Sequence, residues 1–176
     1  KTLLDEIINQ HRIHDTAQIL EELNIAVKKA LKQEDNINDD GMDVCLCCLE
    51  KTPEGTKVIF TGAKRPLYYS QKGNPELQIL KGDSKTIGGI QRKKRKFTKQ
   101  ELILNSGDCI YLTSDGMVDQ SNLDREKFGT KRFMEILSEV ASLHIPEQER
   151  MLEAELDSHQ EEAEQRDDIL IMGIRM

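Results

Sequence analysis

The apolar periodicity changes at residue 41, and that change limits what this chain can fold into. The first forty residues contain no glycine, and their apolar positions recur at helical spacing: Leu3, Leu4, Ile7 and Ile8, then Ile19, Leu20, Leu23, Val27, Ala30 and Leu31. Two helices are expected. Asp15 followed three places later by Gln18 resembles a capping box, so the second helix is predicted to start at about Thr16 and to end near Gln33. From Met42 the texture becomes short apolar runs separated by turn residues, the pattern of antiparallel strands. Strands are predicted at Met42 to Glu50, Lys57 to Gly62, Leu67 to Ser70, Glu76 to Leu80, Phe97 to Leu104 and Cys109 to Thr113. Helices then resume. Thr130 can cap one whose apolar face is Phe133, Ile136, Leu137 and Val140, and Pro146 opens another carrying Leu152, Leu156 and Ala163. The run Ile169 to Met176 suits a buried returning strand. Helices, a strand meander, helices and one last strand describe an α+β fold with layered helices and sheets.

Composition narrows the class further. Aromatics make up 4% of the 176 residues and Trp is absent, so the core must be aliphatic. Apolar stretches such as Ile169 to Ile174 fall far short of the roughly 18 residues of a membrane span. Lys1 leads straight into a patterned, charged stretch without an apolar signal, and a piece of a longer chain is expected. Cys45, Cys47 and Cys48 share one predicted strand, with Cys45 and Cys47 facing one way; with Cys109 they read as core thiols of a protein in a reducing, cytoplasmic setting. The net charge of −7 argues against nucleic acid as a partner. The one basic block, Arg92 to Lys96, lacks interleaved aromatics apart from Phe97, and reads as a solvated loop or a contact for an acidic phosphoprotein. His11 and His14, three apart on a helix, have no ligand partner of known geometry and read as exposed. The acidic stretch Asp115 to Glu126 lacks the central glycine of a calcium loop.

The segment richest in chemistry is Gly107 to Asp119, where a strand runs out of apolar residues into Ser114, Asp115 and Gly116. A carboxylate is thereby delivered at the end of a rigid element, Gly116 lets the chain turn behind it, and Asp119 lies one turn further on. Gln165, Arg166, Asp167 and Asp168 precede the terminal strand in the same manner. Adjacent carboxylates repel, and a bound cation or an arginine beside them relieves that repulsion.

The strings GDCIYLTSDGMVDQ at 107–120 and QRDDILIMGIRM at 165–176 resemble the last two acidic motifs of the PPM-type metal-dependent serine/threonine protein phosphatases, in particular the bacterial branch that regulates sigma factors. DGMD at Asp40 to Asp43, FTGAKRPLYY at Phe60 to Tyr69, KGDSKTIGG at Lys81 to Gly89 and KFGTKRF at Lys127 to Phe133 resemble the same branch, so the likeness covers nearly the whole chain. It implies a layered α-β-β-α sandwich of two mainly antiparallel sheets flanked by helices, with residues 1–176 forming one phosphatase domain incomplete at its N-terminus. By the same resemblance, Asp115 and Asp167 are metal ligands, with Gly116, Asp119 and Asp168 in supporting places; Asp119 and Asp168 lie where a metal-held water could be bound. Lys64 and Arg65 are candidate phosphate contacts.

The implied cofactor is Mn²⁺ or Mg²⁺, two per complete site. Such hard cations prefer oxygen ligands, and a pair about 3.5 to 4 Å apart activates water and neutralises phosphoryl oxygens without a covalent enzyme intermediate. The implied substrate is phosphoserine or phosphothreonine on a regulatory protein, an anti-sigma-factor antagonist. An upstream sensor or receiver domain is expected, and a homodimer is left open. The upstream G-D-x-x-D and D-x-x-G-H-G segments of the family are absent, since the first glycine is Gly41 and no Gly-His pair occurs. The sequence therefore holds only the downstream half of the implied metal site, and weak activity is expected of it alone. The alternative is a degenerate phosphatase-like module that binds its phosphoprotein without turnover.

Overall fold

The computed structural model describes residues 2–33, 38–74, 76–90 and 95–176. Its elements, in order, are α1 (Thr2–Asp5), a π-helical turn (Glu6–Gln10), α2 (Thr16–Ala30), β1 (Gly41–Met42), β2 (Val44–Thr52), β3 (Gly55–Ala63), β4 (Leu67–Ser70), β5 (Gln78–Leu80), β6 (Ile87–Gly88), β7 (Gln100–Leu104), β8 (Cys109–Thr113), α3 (Gly116–Asp119), α4 (Thr130–Val140), α5 (Ile145–Gln160) and β9 (Ile171–Arg175). The fold is α+β, as the periodicity predicted. The chain divides into two compact units, Lys1–Leu67 with Leu80–Ile103, and Tyr68–Ile79 with Leu104–Met176. Arg92, Lys93 and Lys94 of the basic block, and residues 34–37 of the polar stretch, lie outside the described residues.

In the first unit, α2 buries Ile19, Leu20, Leu23 and Val27 in a cluster with Ile7, Ala63, Ile87 and Phe97. Asp15 caps the helix as predicted, its Oδ1 accepting from the N–H groups of Ala17 at 3.1 Å and Gln18 at 3.0 Å. The helix stops at Ala30, three residues short of Gln33, and Lys32 has φ of 51°. β2 and β3 form an antiparallel hairpin that closes on Thr52↔Gly55, in a three-stranded sheet ordered β2-β3-β7, while β1 pairs with β6. The strand predicted from Phe97 begins only at Gln100. The N–H of Phe97 goes to the Glu21 carboxylate at 2.6 Å and that of Thr98 to Asp83 at 2.7 Å, so these groups serve side chains instead of a ladder.

The same competition trims strands in the second unit, whose sheet is ordered β5-β4-β8-β9. The predicted strand at Glu76 starts at Gln78, because the N–H of Leu77 donates to the Ser138 hydroxyl. β8 and β9 are antiparallel with Thr113 opposite Ile171. The predicted apolar face of α4 is buried with Tyr68, Cys109, Tyr111, Met117 and Leu152. Its cap is Gly129, with φ of 82°, and Thr130 is the first helical residue; a glycine takes that backbone angle without steric cost. α5 starts at Ile145 with Pro146 in its first turn, and Ala163 lies beyond its end. The Tyr111 hydroxyl donates to Gln148 Oε1 at 3.0 Å, and burial holds the phenol above its ordinary pKa, so it stays protonated.

The cysteine expectation is corrected in part. Cys109 is buried, but Cys45, Cys47 and Cys48 are only half-buried, and all four thiols are free. A hydrogen bond with Cys45, reinforced by burial, raises Cys47 far above the ordinary thiol range, consistent with both facing the same way from β2. His11 and His14 are exposed, as expected, but they lie in the link between the π-helical turn and α2 and not on a helix.

Candidate metal centre

The candidate site is built where β8 and β9 end side by side in the second unit. β8 buries Cys109, Ile110, Tyr111 and Thr113, so the chain that emerges at Ser114 is held by the core behind it. Asp115 occupies the N-cap position of α3, yet its side chain makes no capping hydrogen bond; the turn is closed by the Asp119 N–H donating to the Asp115 carbonyl at 2.9 Å. The Asp115 carboxylate is half-buried and does not cap the helix.

Ser114 fastens this segment to the one that carries Asp167. Its N–H donates to the Leu170 carbonyl at 2.9 Å, its hydroxyl donates to the Asp168 carbonyl at 2.9 Å, and the same oxygen accepts from the Leu170 N–H at 2.9 Å. These bonds explain why β9 begins at Ile171 and not at Ile169. Gly116 makes the close approach sterically allowed. A Cβ there would lie 2.4 Å from the Asp168 carbonyl oxygen and 2.9 Å from its carbon, distances that only a residue without a side chain tolerates. Asp167 is exposed, and its Oδ1 accepts from the Asp168 N–H at 2.8 Å while Gln165 Nε2 donates to its carbonyl at 2.8 Å. Two carboxylate segments 52 residues apart in sequence are thus brought to adjoining strand ends.

The other expected residues are placed differently. Asp119 is exposed and forms an ion pair of 2.8 Å with Lys127. Lys64 and Arg65 belong to the first unit, where Asp43 lies 3.8 Å from the Lys64 ammonium and 3.5 Å from the Arg65 guanidinium, so their charge is already partly balanced. Ser114 was missed as a working residue: it stands inside the acidic motif, but a serine before an aspartate carries no sequence sign of a partner 54 positions away.

The donor chemistry at Asp115 and Asp167 suits a hard divalent cation, which prefers carboxylate oxygen to thiolate or imidazole. The number of donors falls short: among the described residues, no group of three or more His, Cys, Asp or Glu is arranged to hold a metal ion.

Comparison with known proteins gives a consistent picture. A family model described as Stage II sporulation protein E (SpoIIE) matches residues 1–176. The structure of the SiaA-PP2C domain of Pseudomonas aeruginosa is 31% identical, with a TM-score of 0.85 over 99% of this chain and 66% of that one. Two more distant structures share the fold. The RsbU and RsbW domains of a Mycobacterium tuberculosis protein give a TM-score of 0.68 at 20% identity, over 99% of this chain and 46% of that one. The PP2C phosphatase domain with a regulatory fragment of SpoIIE from Bacillus subtilis gives 0.69 at 14% identity, over 99% and 47%. This chain therefore spans from under half to about two-thirds of the lengths of these structures. No curated protein matches it significantly by sequence.

Proposed function

The chain belongs to the Stage II sporulation protein E (SpoIIE) family, and from that premise we propose that residues 1–176 are the downstream part of a phosphatase domain that removes phosphate from serine or threonine of a regulatory protein. The carrying observation is the lacing of the Asp115 and Asp167 segments by Ser114 across the space that Gly116 leaves open. Asp115 and Asp167 would hold Mn²⁺ or Mg²⁺ together with carboxylates from upstream sequence. When bound, such cations neutralise phosphoryl oxygens and lower the pKa of water enough to supply hydroxide at neutral pH.

The chain's own residues do the placing. β8 and Ser114 fix the backbone on both sides of the acidic pair, and the bond from the Asp168 N–H orients one oxygen of Asp167. Asp119 and Asp168 would accept hydrogen bonds from water at the edge of the site. Lys64 and Arg65 would meet phosphate or acidic groups of the partner, at the cost of loosening their contacts with Asp43. The proposed partner is a phosphorylated anti-sigma-factor antagonist in the cytoplasm, and control would come from a sensor or receiver domain upstream. No described helix is long and apolar enough to cross a membrane.

The test uses the full-length protein and a phosphoserine-bearing partner protein. Dephosphorylation is expected only with Mn²⁺ or Mg²⁺ present. Asp115→Asn and Asp167→Asn should each lower it by more than about 100-fold, beyond the loss typical of residues that only orient ligands. Turnover that survives chelation, or survives both substitutions, overturns the proposal. A folded full-length protein that binds the phosphoprotein without turnover indicates the binding module instead.

A further inference from the structure

A second connection between the two acid-bearing segments lies on the helical side of the site, away from Ser114. Gln120 directly follows α3 and is buried, with 1% of its surface exposed. Its side-chain amide donates to the Glu164 carbonyl at 3.2 Å and to the Ser121 carbonyl at 3.0 Å. Glu164 precedes Asp167 by three residues, and Gln120 follows Asp115 by five. The side-chain oxygen of Gln120 is buried without a hydrogen-bond partner among the described residues, which costs about 1 to 3 kcal/mol. The contribution of this residue is therefore to be sought in its two N–H bonds and in its backbone.

That backbone is itself gripped. The Gln120 carbonyl accepts from the Phe128 N–H at 2.8 Å and lies 3.2 Å from Nε2 of His159, near the end of α5. His159 is also buried, and its Nδ1 lies 3.0 Å from an Arg132 guanidinium nitrogen. A guanidinium has only donors, so Nδ1 must be the acceptor and the ring proton of the neutral imidazole sits on Nε2, directed at Gln120. Arg132 is held in turn by Glu155, which accepts from its Nε at 2.9 Å and its terminal nitrogen at 2.7 Å. The Phe128 ring meets the imidazole edge-on at 5.2 Å and lies under the guanidinium at 4.7 Å. Apart from the Gln120 side-chain oxygen, these donors and acceptors form a continuous series of bonds from α4 through α5 to the loop after α3 and on to the loop before Asp167.

We propose that Gln120 and His159 are positioning residues: His159 fixes the Gln120 backbone, and the Gln120 amide sets the distance of the Asp167 segment from the Asp115 segment. Ser114 governs the strand side of that spacing and Gln120 the helix side. Neither residue touches the reacting atoms. The inference rests on the reading of Asp115 and Asp167 as ligands, and its effect would be felt first as affinity for the cation, since ligand placement has to match a fixed coordination geometry.

The test is Mn²⁺ affinity of the full-length protein, measured by titration at a temperature where thermal unfolding shows each variant to be folded. Gln120→Leu keeps the backbone carbonyl but removes the bond to Glu164, and His159→Leu removes both imidazole bonds. Each should weaken Mn²⁺ binding by about 10-fold or more, as loss of groups that orient metal ligands does. His159→Gln, whose amide N–H can replace that of Nε2, should recover most of the affinity. A merely structural role predicts lowered melting temperatures with unchanged Mn²⁺ affinity and no difference between the Leu and Gln variants at 159, and that result overturns the inference. If His159→Leu does not fold, Gln120→Leu alone decides. Asp115→Asn separates the two levels: if it too leaves Mn²⁺ affinity unchanged, the ligand reading itself fails, whereas loss of affinity there with none in Gln120→Leu removes only the positioning role.

Discussion

The two segments that carry the acidic pair differ in how they are built. Asp115 leaves a strand with Cys109, Ile110 and Tyr111 fully buried and enters a turn whose Gly116 and Met117 are buried too. Asp167 sits in an exposed stretch in which residues 164–168 all face solvent, and its conformation is set by bonds to the other segment: Ser114 to Asp168 and Leu170, and Gln120 to Glu164. One segment is thus a template fixed by the core, and the other is laid against it. An exposed loop free of such bonds would lose its conformational entropy only on binding a ligand; here much of that loss is already incurred on folding.

That contrast can be broken most severely at Gly116. Gly116→Ala places a methyl against the Asp168 backbone, which cannot yield as a flexible side chain would. It is expected to destabilise the second unit by about 3 kcal/mol, the upper range for overpacking, and to abolish turnover. Denaturant unfolding checks the first effect; an unfolding curve like that of the parent would show that the segments are not held in close contact. Ser114→Ala should be milder in stability, about 1.5 kcal/mol, because it removes one donated and one accepted hydrogen bond and leaves the Leu170 N–H unpaired. Hydrogen exchange should then quicken at Leu170 while Tyr111 and Ile110 stay protected. Uniform protection in the variant would mean that the Asp167 loop does not depend on its template.

A third substitution sharpens the comparison from outside the site. Asp15→Ala in the first unit removes the α2 cap and should cost about 1 kcal/mol. The adjoining Lys99 pair adds little, because both side chains are well exposed to solvent. The hydrogen bond from Lys99, then the Gln18 N–H, hold the Asp15 carboxyl below its ordinary pKa. A depressed carboxylate stabilises fully above its unfolded pKa and loses that contribution as pH falls through the native one. The difference between parent and variant should therefore be full at neutral pH, shrink from the ordinary aspartate range downward, and be smallest in strong acid. Mn²⁺ affinity should not change.

Much of the fold was legible because it follows local periodicity: the buried face of α2, the Asp15 cap, the β2–β3 hairpin and the apolar face of α4 are all set by residues near one another in sequence. Strand ends were less so. Phe97, Leu77 and Leu170 carry suitable β residues around them, yet their N–H groups are taken by Glu21, Ser138 and Ser114, partners 56 to 76 positions away. β6 and α3 are too short to show a period. In the candidate site, Asp115 and Asp167 were visible because each lies at the end of an apolar strand within a string that resembles a known acidic motif. Gln120, His159 and Arg132 were not, since their bonds join residues 27 to 44 apart and no spacing rule announces them. Asp119 was visible, but its ion pair with Lys127 was not.

The most direct measurement is anomalous diffraction from crystals of the full-length protein equilibrated with Mn²⁺. If this chain supplies the downstream half of a divalent-metal site, manganese peaks should lie within direct coordinating distance of carboxylate oxygens of both Asp115 and Asp167, with the remaining ligands from upstream sequence. Manganese bound only elsewhere, with both carboxylates outside its coordination shell, would contradict it.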